Sequence, residues 1–153
     1  MRKIVFAFTS LFFTLAAVAQ TEIKVMSFNI RLDVKSDGEN WWENRKDKVA
    51  ALMNYYNADF IGGQEVQFHQ LQYLKEQLTG YDHIGVGRDD GKEKGEFSCI
   101  FYNKQQFEVL QQGTFWLSQT PDSVSMGWDA VCNRTVTWIK LKDLITKKNI
   151  LCF

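Results

Sequence analysis

The order of apolar and polar positions predicts alternating strands and helices in the first half of the chain. Residues 22–30 alternate between apolar and polar side chains, as a half-buried strand does. Large apolar side chains recur at helical spacings in residues 41–56 and again in residues 67–78, with the nearly continuous apolar run of residues 59–65 between them. This strand–helix–strand–helix order favours a sheet that is covered by helices, the arrangement of an α/β domain.

The second half of the chain has the pattern of strands that are joined by loops. The predicted strands are residues 81–86, 97–102, 107–117 and 134–141. A charged loop with several glycines, residues 87–96, separates the first two of these strands, and a longer loop with the single proline precedes the last. The terminal run of residues 150–153 starts another apolar strand, for which the sequence indicates no partner.

The first 19 residues have the composition of an export signal. Arg2 and Lys3 precede an apolar stretch, residues 4–15, and the small residues 17–19 follow it as a cleavage site. The apolar stretch is shorter than the ~20 residues that a membrane span needs, and an uncleaved anchor is the alternative. We therefore expect cleavage after Ala19, export to the periplasm or the medium, and no transmembrane span after cleavage.

Composition excludes some function classes. The chain has 18 basic and 18 acidic side chains and no basic block, which argues against a general affinity for the nucleic-acid backbone but not against a local cleft. The glycine motifs of nucleotide-binding loops and the nucleophile elbow of α/β-hydrolases do not occur in the sequence. Cys99, Cys132 and Cys152 lack metal-site spacing, and we interpret all three as structural.

Two apolar runs carry polar side chains that suit metal and phosphate chemistry. Residues 25–31 include Asn29, and residues 59–66 include Glu65. Two neighbouring strands would place both groups at the entrance of one site. A Mg²⁺ ion bound there needs only one or two carboxylates, because it keeps much of its coordinated water. Glu65 has an alternative role at the N-terminus of the next helix, where the helix dipole favours it, and Asn29 has one as the cap of a turn.

With later segments, these two motifs resemble the endonuclease/exonuclease/phosphatase superfamily of metal-dependent phosphodiesterases. The resemblance implies a layered α/β sandwich of the deoxyribonuclease-I-like type. It also implies that Asn29 contacts the scissile phosphate and that Glu65 binds Mg²⁺, with Mn²⁺ as a substitute. Gly63 stands where the family usually has a bulky apolar residue, which predicts looser packing beneath the site and a mild effect of Gly63→Leu.

A bacterial branch of that superfamily is similar in two later segments, G-R-D-D-G with G-E-F-S-C-I-F-Y and F-W-L-S-Q-T-P with R-T-V-T-W. By this similarity, Glu96 lies beside the pocket and orients a catalytic histidine, while Arg88 and Arg134 meet the substrate phosphate. Trp128 is a candidate wall for the substrate, because an exposed indole is a good stacking surface. The alternatives are a solvated charged loop around Arg88, a surface charge at Arg134 and a core anchor at Trp128.

The resemblance covers only the N-terminal half of the family's domain, so we expect residues 20–153 to be a truncated part of it. Family members carry further segments of the forms N-T-H-x-D-H, G-D-x-N and a terminal D-H, which hold the general base and the groups around it. The sequence contains none of these segments, and its Asp82-His83 pair opens a predicted strand instead. We interpret His69 and His83 as surface or satisfied histidines rather than as this base. The expected reaction of the whole domain is phosphodiester hydrolysis by activated water, and the chain alone is expected to be inactive.

The sequence leaves the substrate and one alternative function open. A phosphate ester is the expected substrate, with nucleic acid and phospholipid head groups among the candidates, and no feature indicates a stable protein partner. The alternative is a non-catalytic module that binds a phosphate or a sugar phosphate, which the absent base would suit.

Overall fold

The computed structural model describes residues 22–153, so the predicted signal peptide lies outside the described residues. The strands are β1 (Val25–Asn29), β2 (Phe60–Val66), β3 (Tyr81–Ile84), β4 (Phe97–Asn103), β5 (Phe107–Trp116), β6 (Thr135–Asp143) and β7 (Asn149–Cys152). The α-helices are α1 (Trp42–Tyr56) and α2 (Phe68–Gln77), and a 3₁₀ helix, Lys35–Asn40, precedes α1. Each predicted helix and strand is present, with ends that differ by a few residues. Within residues 22–153, no helix combines the length and the apolar composition that crossing a membrane requires.

The strands form two sheets. The first has the order β1–β2–β4–β3, in which β1 and β2 are parallel and β4 is antiparallel to both of its neighbours. The second is the antiparallel sheet β5–β6–β7. The carboxyl ends of β1 and β2 therefore lie side by side, and β4 begins next to the end of β2.

The terminal strand β7 has a partner, which corrects the expectation from the sequence. It pairs with β6, where Asn149 lies opposite Lys142. The buried side chain of Asp143 accepts hydrogen bonds from the Ile145 N–H and from Oγ1 of Thr146, and these bonds close the turn between the strands. Acidic side chains that bond to the backbone two residues on are common turn formers, but this pattern does not specify where the returning strand pairs.

Helices cover one face of the first sheet, and the second sheet covers the other face. The core between helices and sheet contains the buried side chains of Trp42, Met53, Ile61, Leu71 and Leu74. The core between the sheets contains those of Phe60, Ile100, Phe107, Ile139 and Leu141. Such side chains each contribute roughly 1.5–3 kcal/mol by leaving water. The predicted layered α/β sandwich is confirmed, and β2 reads as a continuous apolar run because its successive residues enter opposite cores.

Gly63 on β2 is tightly packed, so the expectation of loose packing is wrong. A Cβ placed on Gly63 would lie 3.0 Å from Sγ of Cys99 and 3.2 Å from Cγ2 of Val66. Cys99 is the residue opposite Gly63 on β4, and burial raises the pKa of its thiol to about 12. The sulfur therefore fills the space that a side chain would need, and Gly63→Leu would overpack the core instead of being mild.

Candidate active site

A polar cleft lies where β1 and β2 end and where β4 and β6 begin. Its volume is about 210 Å³. The residues that line it are Asn29, Gln64, Glu65, Arg88, Glu96, Ser98, Asn133, Arg134 and Thr135. The strand ends meet here because β1 and β2 are parallel, whereas β4 runs back from the end of β2.

The structure brings together five of the six site residues that the sequence predicted. The cleft contains Asn29, Glu65, Arg88, Glu96 and Arg134. Trp128 lies outside this lining, in the loop before β6, and 71% of it is exposed. The alternative that Trp128 anchors the core is therefore wrong. Its indole is available to solvent, and its backbone is in the left-handed region at φ 49°.

Glu65 lies on a β-bulge near the end of β2. Gly63 pairs with Cys99 and Val66 pairs with Phe97, so two residues of β2 face one residue of β4 between these pairs. Glu65 has a φ of 58°, which non-glycine residues adopt rarely and at a cost of order 1–3 kcal/mol. The prediction that the strand ends at Glu65 is corrected here, because β2 continues to Val66. A bulge turns a side chain away from the regular alternation, and here it directs the carboxylate into the cleft.

The Glu65 carboxylate is held by two hydrogen bonds. Nδ2 of Asn29 donates to Oε1 at 2.9 Å, and the N–H of Leu32 donates to Oε2 at 3.2 Å. Each carboxylate oxygen has two lone pairs, so each keeps one for a further partner. Oδ1 of Asn29 also accepts from the Arg31 N–H at 2.8 Å, so the turn-capping role left open by the sequence occurs together with the contact to Glu65.

The alternative role for Glu65, at the N-terminus of α2, belongs to other side chains. Gln67 and Gln70 form a capping box there, in which each side chain bonds to the backbone of the other residue. The first turn of α2 is therefore capped without Glu65.

Arg88 and Glu96 form an ion pair on the other side of the cleft. Nη2 of Arg88 lies 2.7 Å from Oε1 of Glu96, and the two side chains are 18% and 22% exposed. Nε of Arg88 is buried without a hydrogen-bond partner and lies 3.8 Å from Oδ1 of Asp89. The guanidinium thus keeps donor capacity beside the cleft. The pairing with Glu96 neutralises part of the charge of Arg88, the residue that the sequence predicts to meet the substrate phosphate.

The loop of residues 87–96 is closed by its own backbone and by Asp90. Oδ1 of Asp90 accepts from the N–H groups of Lys92 and Lys94, and these bonds lower the pKa of the Asp90 carboxyl. Gly87 lies so close to Lys94 that a Cβ would be 2.2 Å from the Lys94 carbonyl oxygen. Lys92 and Lys94 are exposed, as the alternative of a solvated charged loop predicts, whereas Arg88 is largely buried and pairs with Glu96.

Four of the residues in the cleft were not selected from the sequence: Gln64, Ser98, Asn133 and Thr135. Ser98 follows Glu96 by two residues, and because alternate residues of a strand share a face, that spacing could have identified it. Nδ2 of Asn133 donates to the backbone carbonyl of Arg88 at 3.1 Å and ties the two long loops together. No signal in the sequence predicts this contact, which joins residues 45 positions apart.

The ligand oxygens of the cleft fit a hydrated Mg²⁺ ion, but they do not form a complete coordination shell of protein atoms. Within residues 22–153, no group of three or more His, Cys, Asp or Glu side chains is arranged to hold a metal. Mg²⁺ commonly binds one or two carboxylates and completes its coordination with water and substrate phosphate. Glu65, with one free lone pair on each oxygen, is the side chain of this cleft best placed to hold such an ion.

Neither histidine lines the cleft. Nε2 of His69 lies 2.7 Å from Oδ2 of Asp33, so His69 is a partly exposed and satisfied histidine, as expected. Burial lowers the pKa of His83 in β3, and its Nδ1 is buried without a hydrogen-bond partner. His83 is therefore only partly satisfied, in a position away from the cleft.

Two solved structures from Bacteroides share this fold and nearly half of the aligned residues. An endonuclease/exonuclease/phosphatase protein of Bacteroides vulgatus is 48% identical with a TM-score of 0.84, over 86% of this chain and 51% of its own. A mannosyl-6-phosphatase of Bacteroides thetaiotaomicron is 45% identical with a TM-score of 0.82, over 85% of this chain and 49% of its own. This chain spans about half the length of these proteins.

Sequence comparison also reaches more distant proteins. The CCR4-NOT transcription complex subunit 6-like-B of Xenopus laevis is 28% identical over 134 residues, which are 74% of this chain and 24% of that protein. No protein-family model matches the sequence. The assignment to a family therefore rests on the two Bacteroides structures and on the motifs that line the cleft.

Proposed function

Because the chain belongs to the endonuclease/exonuclease/phosphatase superfamily, we propose that it forms the metal-binding and phosphate-binding side of a phosphohydrolase active site. The observation that carries the proposal is the carboxylate of Glu65, which two hydrogen bonds hold at the cleft. Strained backbone tends to occur at functional sites, and a metal ion needs its ligand in a fixed position. In this proposal Glu65 binds Mg²⁺, and Mn²⁺ can replace it.

The bound ion would stabilise the negative charge on the phosphate during attack by water. Asn29 donates one of its two amide protons to Glu65 and keeps the other for a phosphate oxygen, which it can bind without titrating. Arg134 is exposed immediately before β6 and supplies further donors to the phosphate. Arg88 adds positive charge from the opposite side, reduced by its pairing with Glu96.

Glu96 has a positioning role in the proposal. Its Oε1 is occupied by Arg88, and its remaining acceptors can orient an imidazole N–H. Hydrolysis by activated water needs a general base, and no histidine of residues 22–153 lines the cleft. We propose that a histidine from outside these residues acts as the base in the whole protein.

The proposed substrate is a phosphate ester. The cleft volume of about 210 Å³ is smaller than the roughly 300–1,000 Å³ of a typical small-molecule pocket, so it can take a phosphate group but only part of the attached alcohol. We favour a phosphodiester, such as one from nucleic acid or a phospholipid head group. The similarity to a mannosyl-6-phosphatase makes a sugar phosphate the second substrate to test. Trp128 is the candidate surface for stacking on the part of the substrate that extends beyond the cleft.

A non-catalytic phosphate-binding module is the second candidate function. One observation favours it: among residues 22–153, the cleft is lined by two arginines and three amide side chains but by no histidine. Such a module would bind inorganic phosphate or a sugar phosphate without a metal ion. In the proposed hydrolase site, by contrast, phosphate binding requires Glu65 and a divalent ion.

Mn²⁺ binding to the chain, followed by electron paramagnetic resonance, tests the proposal directly. We expect saturable binding to the unchanged chain and a loss of at least about tenfold in affinity for Glu65→Gln, because a neutral amide is a poor ligand for a hard cation. Glu108→Gln is the matched control, since Glu108 is exposed on β5 and away from the cleft. Equal Mn²⁺ affinity in Glu65→Gln and the unchanged chain would refute Glu65 as the metal ligand. Phosphate binding without Mn²⁺ would support the non-catalytic phosphate-binding module instead.

We also propose that the protein is exported. The support is the charged start, apolar stretch and small-residue cleavage site of the first 19 residues. Intact-mass analysis of secreted protein should give a chain that begins at Gln20, and secreted protein that retains Met1 would refute the cleavage.

A further inference from the structure

The backbone of residues 30–32, which we name the β1 exit loop, supplies donors to both candidate ligand groups. The Leu32 N–H bonds to Oε2 of Glu65, and the Arg31 N–H bonds to Oδ1 of Asn29. Arg31 has a φ of 64°, a conformation that costs a non-glycine residue of order 1 kcal/mol or more. The β1 exit loop therefore needs contacts from elsewhere to keep the geometry that holds Glu65.

Arg45 on α1 provides these contacts. Its Nη1 donates to the carbonyl of Ile30, and its Nη2 lies 3.0 Å from the carbonyl oxygen of Arg31 and 3.5 Å from that of Leu32. Its Nε donates to the carbonyl of Asn40 at 2.8 Å. One guanidinium thus contacts all three carbonyls of the β1 exit loop and the end of the 3₁₀ helix.

The indole ring of Trp42 fixes the position of the Arg45 guanidinium. The guanidinium carbon lies 5.3 Å from the centroid of this ring, and Trp42 is buried in the core between the helices and the sheet. Burial is the largest influence on the pKa of Arg45 and lowers it, but an arginine remains charged at neutral pH. Because at least three of its five N–H groups point at backbone carbonyls, Arg45 is committed to the loop and is a poor candidate for binding substrate.

Gln70 on α2 reaches the same loop from the other helix. It is fully buried, its Oε1 accepts from the Gln67 N–H, and its Nε2 donates to the carbonyl of Arg31 at 3.1 Å. The Arg31 carbonyl therefore receives donors from both helices. The bond to Gln67 fixes this buried side chain at the start of α2, and its second bond therefore helps to specify the position of the loop.

We propose that Arg45, assisted by Gln70, is a positioning residue that holds the β1 exit loop so that Glu65 is oriented for the metal ion. The proposal rests on the metal role of Glu65 proposed above. Arg45 acts through the Leu32 N–H and through Asn29 and does not touch the ion or the substrate. Groups that orient metal ligands typically change metal affinity by about 10- to 100-fold when removed. We expect an effect in this range for Arg45, with the fold intact.

Two variants of Arg45 and one control test the proposal in the full chain. Arg45→Met keeps an unbranched stem but removes the guanidinium and with it every donor, and Arg45→Lys keeps the charge but removes the fork that reaches several carbonyls. Lys48→Met removes an exposed cation from the same helix and is the control. The measurements are the Mn²⁺ dissociation constant, the hydrogen-exchange rates of the Arg31 and Leu32 amides by NMR, and the thermal midpoint.

Arg45→Met should raise the Mn²⁺ dissociation constant by about tenfold or more and speed exchange at Arg31 and Leu32, while amides of β2 and α2 stay protected. Arg45→Lys should lie between Arg45→Met and the unchanged chain, because one ammonium can satisfy only part of the loop. Lys48→Met should match the unchanged chain in all three measurements.

The exchange measurement separates this proposal from the proposed function. If the unchanged chain binds no Mn²⁺, the metal role proposed for Glu65 is refuted. Faster exchange confined to the Arg31 and Leu32 amides in Arg45→Met would still support the proposal that Arg45 positions the loop. Unchanged exchange at these two amides in both Arg45 variants would overturn the inference. Faster exchange spread evenly over β2 and α2 would also overturn it, since Arg45 would then stabilise the whole fold rather than the loop.

Discussion

Nδ2 of Asn29 donates a hydrogen bond to Oε1 of Glu65 at 2.9 Å, although the strand register places Asn29 opposite Gln64. The bulge on β2 accounts for this offset, because it turns Glu65 toward β1. The contact joins the candidate phosphate-binding amide to the candidate metal ligand. A change in one residue should therefore alter the chemistry of the other.

Asn29→Asp should make the stability of the protein depend on a divalent metal. The substitution replaces a donated N–H with a second carboxylate next to Glu65, and two like charges in contact disfavour the folded state by about 1–2 kcal/mol when no ion is bound. A divalent cation between the carboxylates should restore the loss. Thermal unfolding with and without MgCl₂ measures this, and Asn149→Asp on β7 is the control. A midpoint for Asn29→Asp that does not rise with MgCl₂ more than that of the control would contradict the prediction.

Gly63→Ala should destabilise the protein through its contact with Cys99. The added methyl group would lie 3.0 Å from Sγ, and such overpacking typically costs about 1–3 kcal/mol. Cys99→Ala removes the sulfur, so the same Gly63→Ala change should cost less in that background, although the contact with Val66 remains. A double-mutant cycle of unfolding free energies in urea measures the coupling. Additive effects of the two substitutions would show that the sulfur does not limit the space at Gly63.

The helices and strands were predictable from the sequence because they are encoded by the spacing of apolar residues along the chain. Successive residues such as Phe60 and Ile61 enter opposite cores, so β2 reads as a continuous apolar run, and α1 and α2 carry apolar side chains at helical spacings. The pairing of β7 with β6 was not predictable in this way, because a short apolar run does not specify its partner strand.

The residues of the candidate site were predicted mainly from their types within recognised motifs. The geometry of the site was not predicted. Nothing in the sequence around Glu65 indicates a bulge or a φ of 58°, since the bulge arises from the register between β2 and β4. Arg45 resembled one of several charges on the exposed side of a helix. Its contacts with the carbonyls of residues 30–32 exist only because the loop folds over the start of α1.

Asp37→Asn should lower stability at neutral pH and have little effect in acid. Arg31 donates from Nε to Oδ2 of Asp37 at 2.5 Å, and this hydrogen bond lowers the pKa of the Asp37 carboxyl below its ordinary value of 3.8. A carboxyl whose pKa is lower in the folded state stabilises that state above the unfolded pKa, and the stabilisation disappears as the pH falls through the folded pKa.

Urea unfolding of both chains across a pH series measures this effect. The difference in unfolding free energy between the unchanged chain and Asp37→Asn should be constant above about pH 5 and should shrink toward zero below the ordinary pKa of 3.8. A difference that stays constant into strong acid would show that Asp37 contributes by packing and not by its charge.

The hydrolytic activity separates the two candidate functions most directly. The 153-residue chain should not hydrolyse bis-p-nitrophenyl phosphate above background with Mg²⁺ or Mn²⁺, because its cleft contains no histidine base within the described residues. Joining it to the C-terminal half of the 48% identical Bacteroides vulgatus protein should give metal-dependent hydrolysis. In that fusion, Glu65→Gln should reduce turnover by about 100-fold or more, since Glu96, the other carboxylate among the cleft residues, is paired with Arg88. Glu108→Gln should leave turnover unchanged. Metal-dependent hydrolysis by the short chain alone, or full activity of the Glu65→Gln fusion, would overturn the assignment of the site, whereas phosphate binding by an inactive fusion would favour the binding module.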